Sequence, residues 1–399
     1  GLENRPKLRF PGFDEPWKMF KAEELFQNIT DKKHENEIVL TIVQGKGTLP
    51  REKSGRNIHY DNASLTSYKK VEKGDFIIHL RSFEGGLEMA NERGIVSPAY
   101  TILRCIKPHS SLFYESYFHT DEFINHVLAK AVEGIRDGRQ ISYDAFKWLS
   151  IPYCSVNEQV KISNLFDILN KRIQKQRSLV EALKKYKRGA FEAVFSQKLR
   201  LVPANKQQEW KRFKLSDFAT RVTRKNGANT DIPLTISAQY GLIDQRDFFS
   251  KTVASTDMSG YYLLQSGEFA YNRSTSNEYP FGSIKRLELY PMGAVSTLYL
   301  CFEINENIII SDLAKWYFES SQWYRSVNQI CAEGARNHGL LNIPTDGFFN
   351  TTHLLPSDRA EQITIARYLS LLQARYDKAL NKLEQLNTIR KALLQQLFI

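Results

Sequence analysis

Cysteine is scarce in this chain. Four occur among 399 residues, Cys105, Cys154, Cys301 and Cys331, and no two form a CxxC pair. Without a compact Cys/His ligand set there is no zinc module, and no metal site is expected. Four isolated thiols read instead as reduced, cytosolic and mostly buried. His119 and His126 are seven residues apart, which lacks the HExxH spacing of a metal-binding helix. Long apolar runs are missing too. Nothing approaches the roughly 18 uninterrupted apolar residues of a membrane helix. The opening GLENRPKLRFPGF has no signal-peptide apolar stretch, so no membrane partner and a cytoplasmic location are expected. Nucleotide-binding loops are also lacking. GKGT at Gly45–Thr48 has neither the length nor the Lys-Ser/Thr ending of a phosphate loop, and no GxGxxG follows a strand. No Ser/His/Asp or paired-carboxylate signature stands out.

What is present is the composition of a globular protein, with 42% hydrophobic, 12% aromatic and 25% charged residues. The length allows roughly two to three domains. Lys and Arg number 55 against 44 Asp and Glu, a net charge of +11. That excess fits a polyanion partner, with nucleic acid the first candidate.

The chain also repeats itself. Lys7-Leu8-Arg9 matches Lys198-Leu199-Arg200, and EPWKMFKAEELF (Glu15–Phe26) matches QEWKRFKLSDFA (Gln208–Ala219). Further on, Leu40-Thr41-Ile42 matches Leu234-Thr235-Ile236, and Lys73-Gly74-Asp75-Phe76 matches Ser266-Gly267-Glu268-Phe269, with Arg81 near Arg273 a few residues later. Val96-Ser97 matches Val295-Ser296, GIRDG (Gly134–Gly138) resembles GARNHG (Gly334–Gly339), and Glu158-Gln159 matches Glu361-Gln362. The order never reverses, and the offset drifts from 191 (7 to 198) and 193 (15 to 208) to 203 (158 to 361), as in a duplicated unit with loop insertions.

Each copy has a mixed part and a helical part. EIVLTIV, GDFIIHL, AYTILRC, EFAYNR, VSTLYLCFEI and NIIISDL read as β-rich runs between turn signals. DEFINHVLAKAVEGI and DLAKWYFESSQWYRSV read as helical. A long helix then begins after Pro152 or Pro356, at boxes in which Ser155 precedes Glu158 and Asp358 precedes Glu361 by three; the Glu is expected to reach back to the cap. Apolar stripes follow: Ile162, Phe166, Leu169, Ile173, Val180, Leu183, Tyr186, Ala190 and Val194, then Ile365, Leu369, Leu372, Tyr376, Leu383, Leu386, Ile389, Leu393 and Leu397. Basic runs such as KKYKR (Lys184–Arg188) lie between.

Each helix of about 40 residues would be about 60 Å long, and its stripe needs cover. The two stripes are expected to cover each other. A globular part only about 40 Å across separates the end of the first helix from the start of the second, so the pair should be antiparallel. The expected fold is α+β: two similar globular domains separated by two long antiparallel coiled-coil helices, a pseudo-two-fold internal repeat. The boundaries are an arm at 1–14, a first domain at 15–154, a helix at 155–197, an arm plus second domain at 198–357 and a helix at 358–399. Such an object is a ruler for duplex DNA, whose half-sites lie about 34 Å apart per turn. Because the two domains differ between matched blocks, the target is expected to be split and asymmetric.

On the KLRF-type arm before a Trp-containing segment, the Pro…Glu-Gln…Ile helix start (Pro152, Glu158, Gln159, Ile162; Pro356, Glu361, Gln362, Ile365) and the helix ends (Ala190–Phe195; Leu393–Phe398), the chain resembles the specificity (S) subunit of bacterial type I restriction-modification enzymes. The first helix end reads GAFEAVF where the second reads ALLQQLF. The resemblance implies two target recognition domains, each reading one half-site, and spacer helices that dock two modification (M) subunits. These use S-adenosylmethionine to methylate adenine N6; restriction (R) subunits then join and use ATP, with Mg, to translocate and cut. No cofactor is expected on this chain, which has no Asn/Asp-Pro-Pro-aromatic motif of such methyltransferases and is expected to be non-catalytic. Its expected partners are double-stranded DNA and the M and R subunits.

Base and phosphate contacts are expected from polar loops. Candidates in the first copy are Lys46, Arg51, Lys53, Arg56, Arg81, Arg136, Arg139 and Gln140; in the second, Arg224, Lys225, Gln239, Arg273, Asn277, Arg336, Asn337 and His338. For each the plainer alternative is an ordinary surface side chain. Tyr279-Pro280-Phe281 would wedge DNA or pack as a loop. Two rival functions stay open: a stand-alone bipartite DNA-binding regulator, which needs no partner to bind tightly, and an assembly scaffold with no sequence preference.

Overall fold

The computed structural model describes residues 4–54, 62–134, 139–237, 240–248, 257–277, 279–331, 339 and 341–399. Among them are two compact units: Gly1–Ser178 with Asn381–Ile399, and Leu179–Leu380.

The first unit contains β1 (Lys18–Lys21), β2 (Phe26–Ile29), β3 (Leu40–Val43), β4 (Gly47–Pro50), β5 (Lys69–Val71), β6 (Phe76–Ile78), β7 (Glu88–Met89), β8 (Gly94–Val96), β9 (Thr101–Cys105), β10 (Val132–Glu133), β11 (Gln140–Ile141) and β12 (Ser150–Tyr153). Its main sheet is antiparallel with the order β2-β9-β6-β7, and β3-β4, β5-β8, β10-β11 and β1-β12 form two-stranded pairs. Strand alternation sorts β6 between two cores. Phe76 and Ile78 join Trp17, Phe26 and the helix Ser111–Phe118, while Ile77 faces Leu40, Val71, Ala90, Val96 and Ile102.

The second unit repeats this plan. It contains β13 (Lys211–Lys214), β14 (Ala219–Arg221), β15 (Leu234–Ser237), β16 (Gly241–Asp244), β17 (Tyr262–Gln265), β18 (Phe269–Asn272), β19 (Ser283–Arg286), β20 (Met292–Val295), β21 (Leu300–Ile304) and β22 (Thr352–Leu355). The sheet order is β14-β21-β18-β19, with pairs β15-β16, β17-β20 and β13-β22. Its smaller core repeats the first position by position: Leu234, Leu264, Ala270, Leu287, Val295 and Cys301. The repeated Gly-acid pair is a turn. Gly74 and Gly267 have φ of +93° and +92°. Asp75 accepts the Glu72 N–H at 2.8 Å and pairs with Arg104; Glu268 accepts the Gln265 N–H at 2.7 Å and pairs with Arg224. NIIISDL is a turn running into the helix Ser311–Phe318 rather than a strand, since Asn305 and Glu306 turn and cap the chain there. DEFINHVLAKAVEGI is a π-turn, Glu122–Val127, followed by a 3-10 turn, Leu128–Ala131.

The long helices run Val156–Phe195 and Arg359–Leu397. Within each unit the segments pair antiparallel. In the first, Leu169 and Ile173 meet Leu386, and Arg390 Nε donates to Asn170 Oδ1 at 2.8 Å. In the second, Phe191 and Val194 share a core with Ile365 and Leu369, and Lys187 Nζ donates to Gln373 Oε1 at 2.7 Å. Two stripe positions fail in the same way. Tyr186 and Ile389, equivalents 203 apart, are 57% and 49% exposed, while Phe191 and Leu394 are buried instead. A straight α-helix drifts off a 3.5-residue repeat, so the seam moves to a neighbouring row.

The helix starts are capped, but not as a reciprocal box. Ser155 Oγ and Asp358 Oδ2 accept the Glu158 and Glu361 N–H groups at 3.3 and 2.8 Å. The glutamates turn inward. Glu158 takes Arg9 Nε and Nη2 at 2.7 and 2.9 Å and Trp17 Nε1 at 3.2 Å. Glu361 takes Arg200 Nε and Nη2 at 3.0 and 3.1 Å and Trp210 Nε1 at 3.2 Å. The following glutamines pin the shorter helices: Gln159 Oε1 accepts the Ser110 N–H, and Gln362 Oε1 the Ile310 N–H, both at 2.9 Å. The arm, tryptophan and Glu-Gln matches therefore form one buried device, built twice. The arms dock alike, with Leu8 N donating to Gln396 O and Leu199 N to Ala193 O, each at 2.9 Å.

One glycine contrast is testable. Gly47 and Gly241 occupy the same hairpin position with φ of +73° and +81°, but a Cβ on Gly47 would lie 2.5 Å from Met89 O, while at Gly241 none of the described residues comes within 4 Å. Gly241→Ala is expected to cost about 1–2 kcal/mol from the left-handed backbone alone, and Gly47→Ala about 1–3 kcal/mol more. Denaturant titration of the two variants checks the order; equal losses would refute the clash.

Candidate nucleic-acid interface

Four of the first copy's candidates gather around the short helix Ser82–Gly85. The β3–β4 tip reaches it through Gln44, whose side chain lies where a Cβ on Gly85 would be. Lys46 is exposed on that tip. Arg81 precedes the helix, 72% exposed, with Nε 3.4 Å from Glu84. The Arg139 guanidinium sits 4.3 Å from the Phe83 ring centre, and Gln140 is exposed on β11, which packs on the same helix. Leu80, 65% exposed, adjoins Arg81. The sequence reading missed Leu80, because GDFIIHL reads as one strand through Leu80, whereas β6 ends at Ile78 and Leu80 stands on the turn that follows.

The remaining first-copy candidates lie elsewhere. Arg51 and Lys53 are on a 3-10 turn at the far end of β4 from Lys46, and Arg51 stacks over Tyr68 at 5.9 Å. Arg56 and Arg136 lie outside the described residues.

In the second copy the candidates divide. Arg224 Nη2 is held by Glu268 at 2.7 Å, and Lys225 Nζ donates to Gly260 O at 2.9 Å over the Tyr262 ring. Arg273 donates to Leu298 O at 2.9 Å and Ile343 O at 3.3 Å. These side chains hold the fold together. Asn277 is exposed on a loop stitched to Gly339 through the Thr275 N–H at 2.6 Å. Gln239, Arg336, Asn337 and His338 lie outside the described residues. Phe281 packs against Tyr324 at 5.2 Å and Tyr271 donates to its carbonyl, so the Tyr279–Phe281 run is anchored as a loop.

The second unit also holds a cleft of about 670 Å³, lined by Tyr240 of the β15–β16 tip, Lys285, Lys315, Trp316, Lys187 and Tyr376 among others. Lys187 lies over the Tyr376 ring at 4.8 Å, and burial holds its amine below the ordinary lysine range. Tyr240 stands where the first copy has Lys46, and is 56% exposed. Sequence alignment alone did not reach it, since the matched block ends at Ile236.

Burial pushes the Cys105 thiol up to about 11 and the Cys301 thiol up to about 12, away from nucleophilic use. Burial pushes His353 down to about 4; it lies between Tyr317 and Thr351 at 3.0 and 2.9 Å. Among the described residues no cluster of His, Cys, Asp and Glu is placed to hold a metal, and no helix is long and apolar enough to cross a membrane.

No family model matches the sequence, and no curated protein does. Solved structures do. The type I restriction-modification S subunit of M. genitalium superposes with a TM-score of 0.58 at 15% identity, covering 99% of each chain. The HsdS subunit of Thermoanaerobacter tengcongensis gives 0.51 at 13% identity over 98% of each chain. A chain from a study of complex assembly and conformational transition in a type I system gives 0.53 at 14%, over 98% of this chain and 99% of that one. With sheet order, smaller core and helix-start device all built twice, this chain has the fold of type I restriction-modification specificity subunits.

Proposed function

We propose that the protein is the non-catalytic DNA specificity subunit of a type I restriction-modification complex. Each unit reads one half of a split, asymmetric duplex target, and the long helices dock methyltransferase subunits. S-adenosylmethionine, ATP and Mg belong to those partners and to the restriction subunits. The observation that carries this reading is the duplication itself. The buried frame is kept in both copies, while the exposed loops at the ends of equivalent strands differ: Lys46 against Tyr240, and Arg81 beside an exposed leucine against a loop carrying Asn277. One scaffold with two different loop sets is what two different half-sites require. In the first unit Lys46, Arg81, Arg139 and Gln140 form the contact row; in the second, among the described residues, Asn277 does so, with Tyr240 added.

The test is methylome sequencing of cells with and without this chain. Loss of one split adenine motif on deletion is the expected result. An unchanged methylome in a host that supplies the methyltransferase partner would reject the proposal.

A further inference from the structure

The two copies carry an inverted charge pair beneath the strand hairpin that bears Lys46 or Tyr240. By register, Glu88 opposite Ile77 corresponds to Lys285 opposite Ala270. His119 and Glu319 each directly follow the equivalent helices Ser111–Phe118 and Ser311–Phe318. Thus Glu88–His119 in the first copy becomes Lys285–Glu319 in the second. The consequence for the hairpin differs. Glu88 Oε1 and Oε2 accept the backbone N–H groups of Gly45 and Gly47 at 2.6 and 2.8 Å, tying down both sides of Lys46. An ammonium cannot accept those bonds, and the second copy's tip instead borders the cleft that Lys285 also lines.

We infer that Glu88 and His119 are positioning residues that fix the Lys46 tip for reading the first half-site, and that they do so only while His119 is protonated. This rests on the DNA-reading proposal above. The geometry sets the proton requirement. His119 Nδ1 lies 2.7 Å from Glu115 O, and a carbonyl only accepts, so Nδ1 carries a proton. Nε2 lies 3.3 Å from Glu88 Oε1. A neutral ring would then turn its lone pair toward a carboxylate; only the imidazolium donates to both. The charged groups around the pair are Glu115, His79 at the end of β6, Glu84 of the short helix and, beyond Glu115, Asp167 and Arg390 of the long helices. Burial holds the His79 ring below its usual range. Burial also opposes charge on His119, but the bond to Glu88, the charge of that carboxylate and the Glu115 carbonyl overcome it and raise the ring. For Glu88 burial works upward, and His119 with the two glycine amides brings the carboxyl down. The tie is therefore present above the ordinary glutamate value of 4.5 and is lost as pH rises through an imidazole value above 6.5. The Lys285–Glu319 pair contains no imidazole.

Hydrogen exchange of the full-length chain tests the tie without DNA. Peptides spanning 44–48, corrected for intrinsic rate, are expected to lose protection between pH 6 and 8.5, while Ser283–Arg286 does not. Glu88→Gln is expected to speed tip exchange about tenfold, the loss of one charge-assisted bond. His119→Gln, which leaves Glu88 charged, is expected to remove the pH dependence. Methylome sequencing then tests the role: E88K/H119E, which installs the second copy's pair, should degrade the first half of the motif and leave the second. Tip exchange indifferent to E88Q and to pH, or a first half-site unchanged in the double variant, overturns the inference. If the wild-type chain directs no split motif at all, the DNA role of both proposals falls, and the exchange data still decide the tie itself.

Discussion

Glu158→Ala is expected to destabilise the first unit by about 3 kcal/mol or more, because it leaves a largely covered cation with no counter-charge. Arg9 is 15% exposed and Glu158 1%, and the same carboxylate takes Trp17 Nε1, which is also buried. Arg9 Nη1 has no partner among the described residues, so the substitution strands the guanidinium and the indole N–H together. In a unit of roughly 200 residues, each kcal/mol moves the midpoint by roughly 2–4 °C, so calorimetry should register a drop of at least about 6 °C. Glu361→Ala removes the matching carboxylate from Arg200 and Trp210 and is expected to cost the second unit a similar amount. Glu158→Gln keeps an acceptor but not the charge or the bidentate geometry, and should fall between. A wild-type melting profile for E158A would mean that the docked arm contributes nothing to stability.

Exchange of residues 208–356 for the matching segment of another chain of this fold is expected to replace one half of the methylation motif and leave the other half intact. The replaced segment carries β13 to β22, the exposed Asn277 loop and the Tyr240 tip. It leaves Lys46, Arg81, Arg139 and Gln140 untouched in the first unit. Both segment ends fall beside the helix-start device, and Arg200, Glu361 and Gln362 all lie outside the exchange, so the ion pair that anchors the arm survives. A change in both halves would show that the two units do not read independently.

The duplication, the helix positions and their antiparallel sense were legible in the chain. They follow from local periodicity, matched blocks and the reach of a globular part between two helix ends, none of which needs side-chain contacts. Legibility stopped at residues whose role depends on a distant partner. Ser155 with Glu158, and Asp358 with Glu361, read as capping boxes by their spacing, but burial and a waiting Arg–Trp pair redirect each carboxylate inward. Arg224 reads as a loop cation and is the counter-charge of Glu268, a residue 44 positions away. The stripe drift that exposes Tyr186 and Ile389 is likewise invisible until two helices are laid together.

Sequence alone determined that there are two copies of one α+β unit, each with a long helix, because hydrophobic period and repeated blocks are properties of the chain itself. Tertiary structure decided which exposed groups gather: Lys46, Arg81, Arg139 and Gln140 around one short helix, with Glu88 and His119 beneath the tip. Such juxtapositions join residues up to about 100 positions apart, and only the closing of the sheet, strand against strand, brings them within hydrogen-bonding distance.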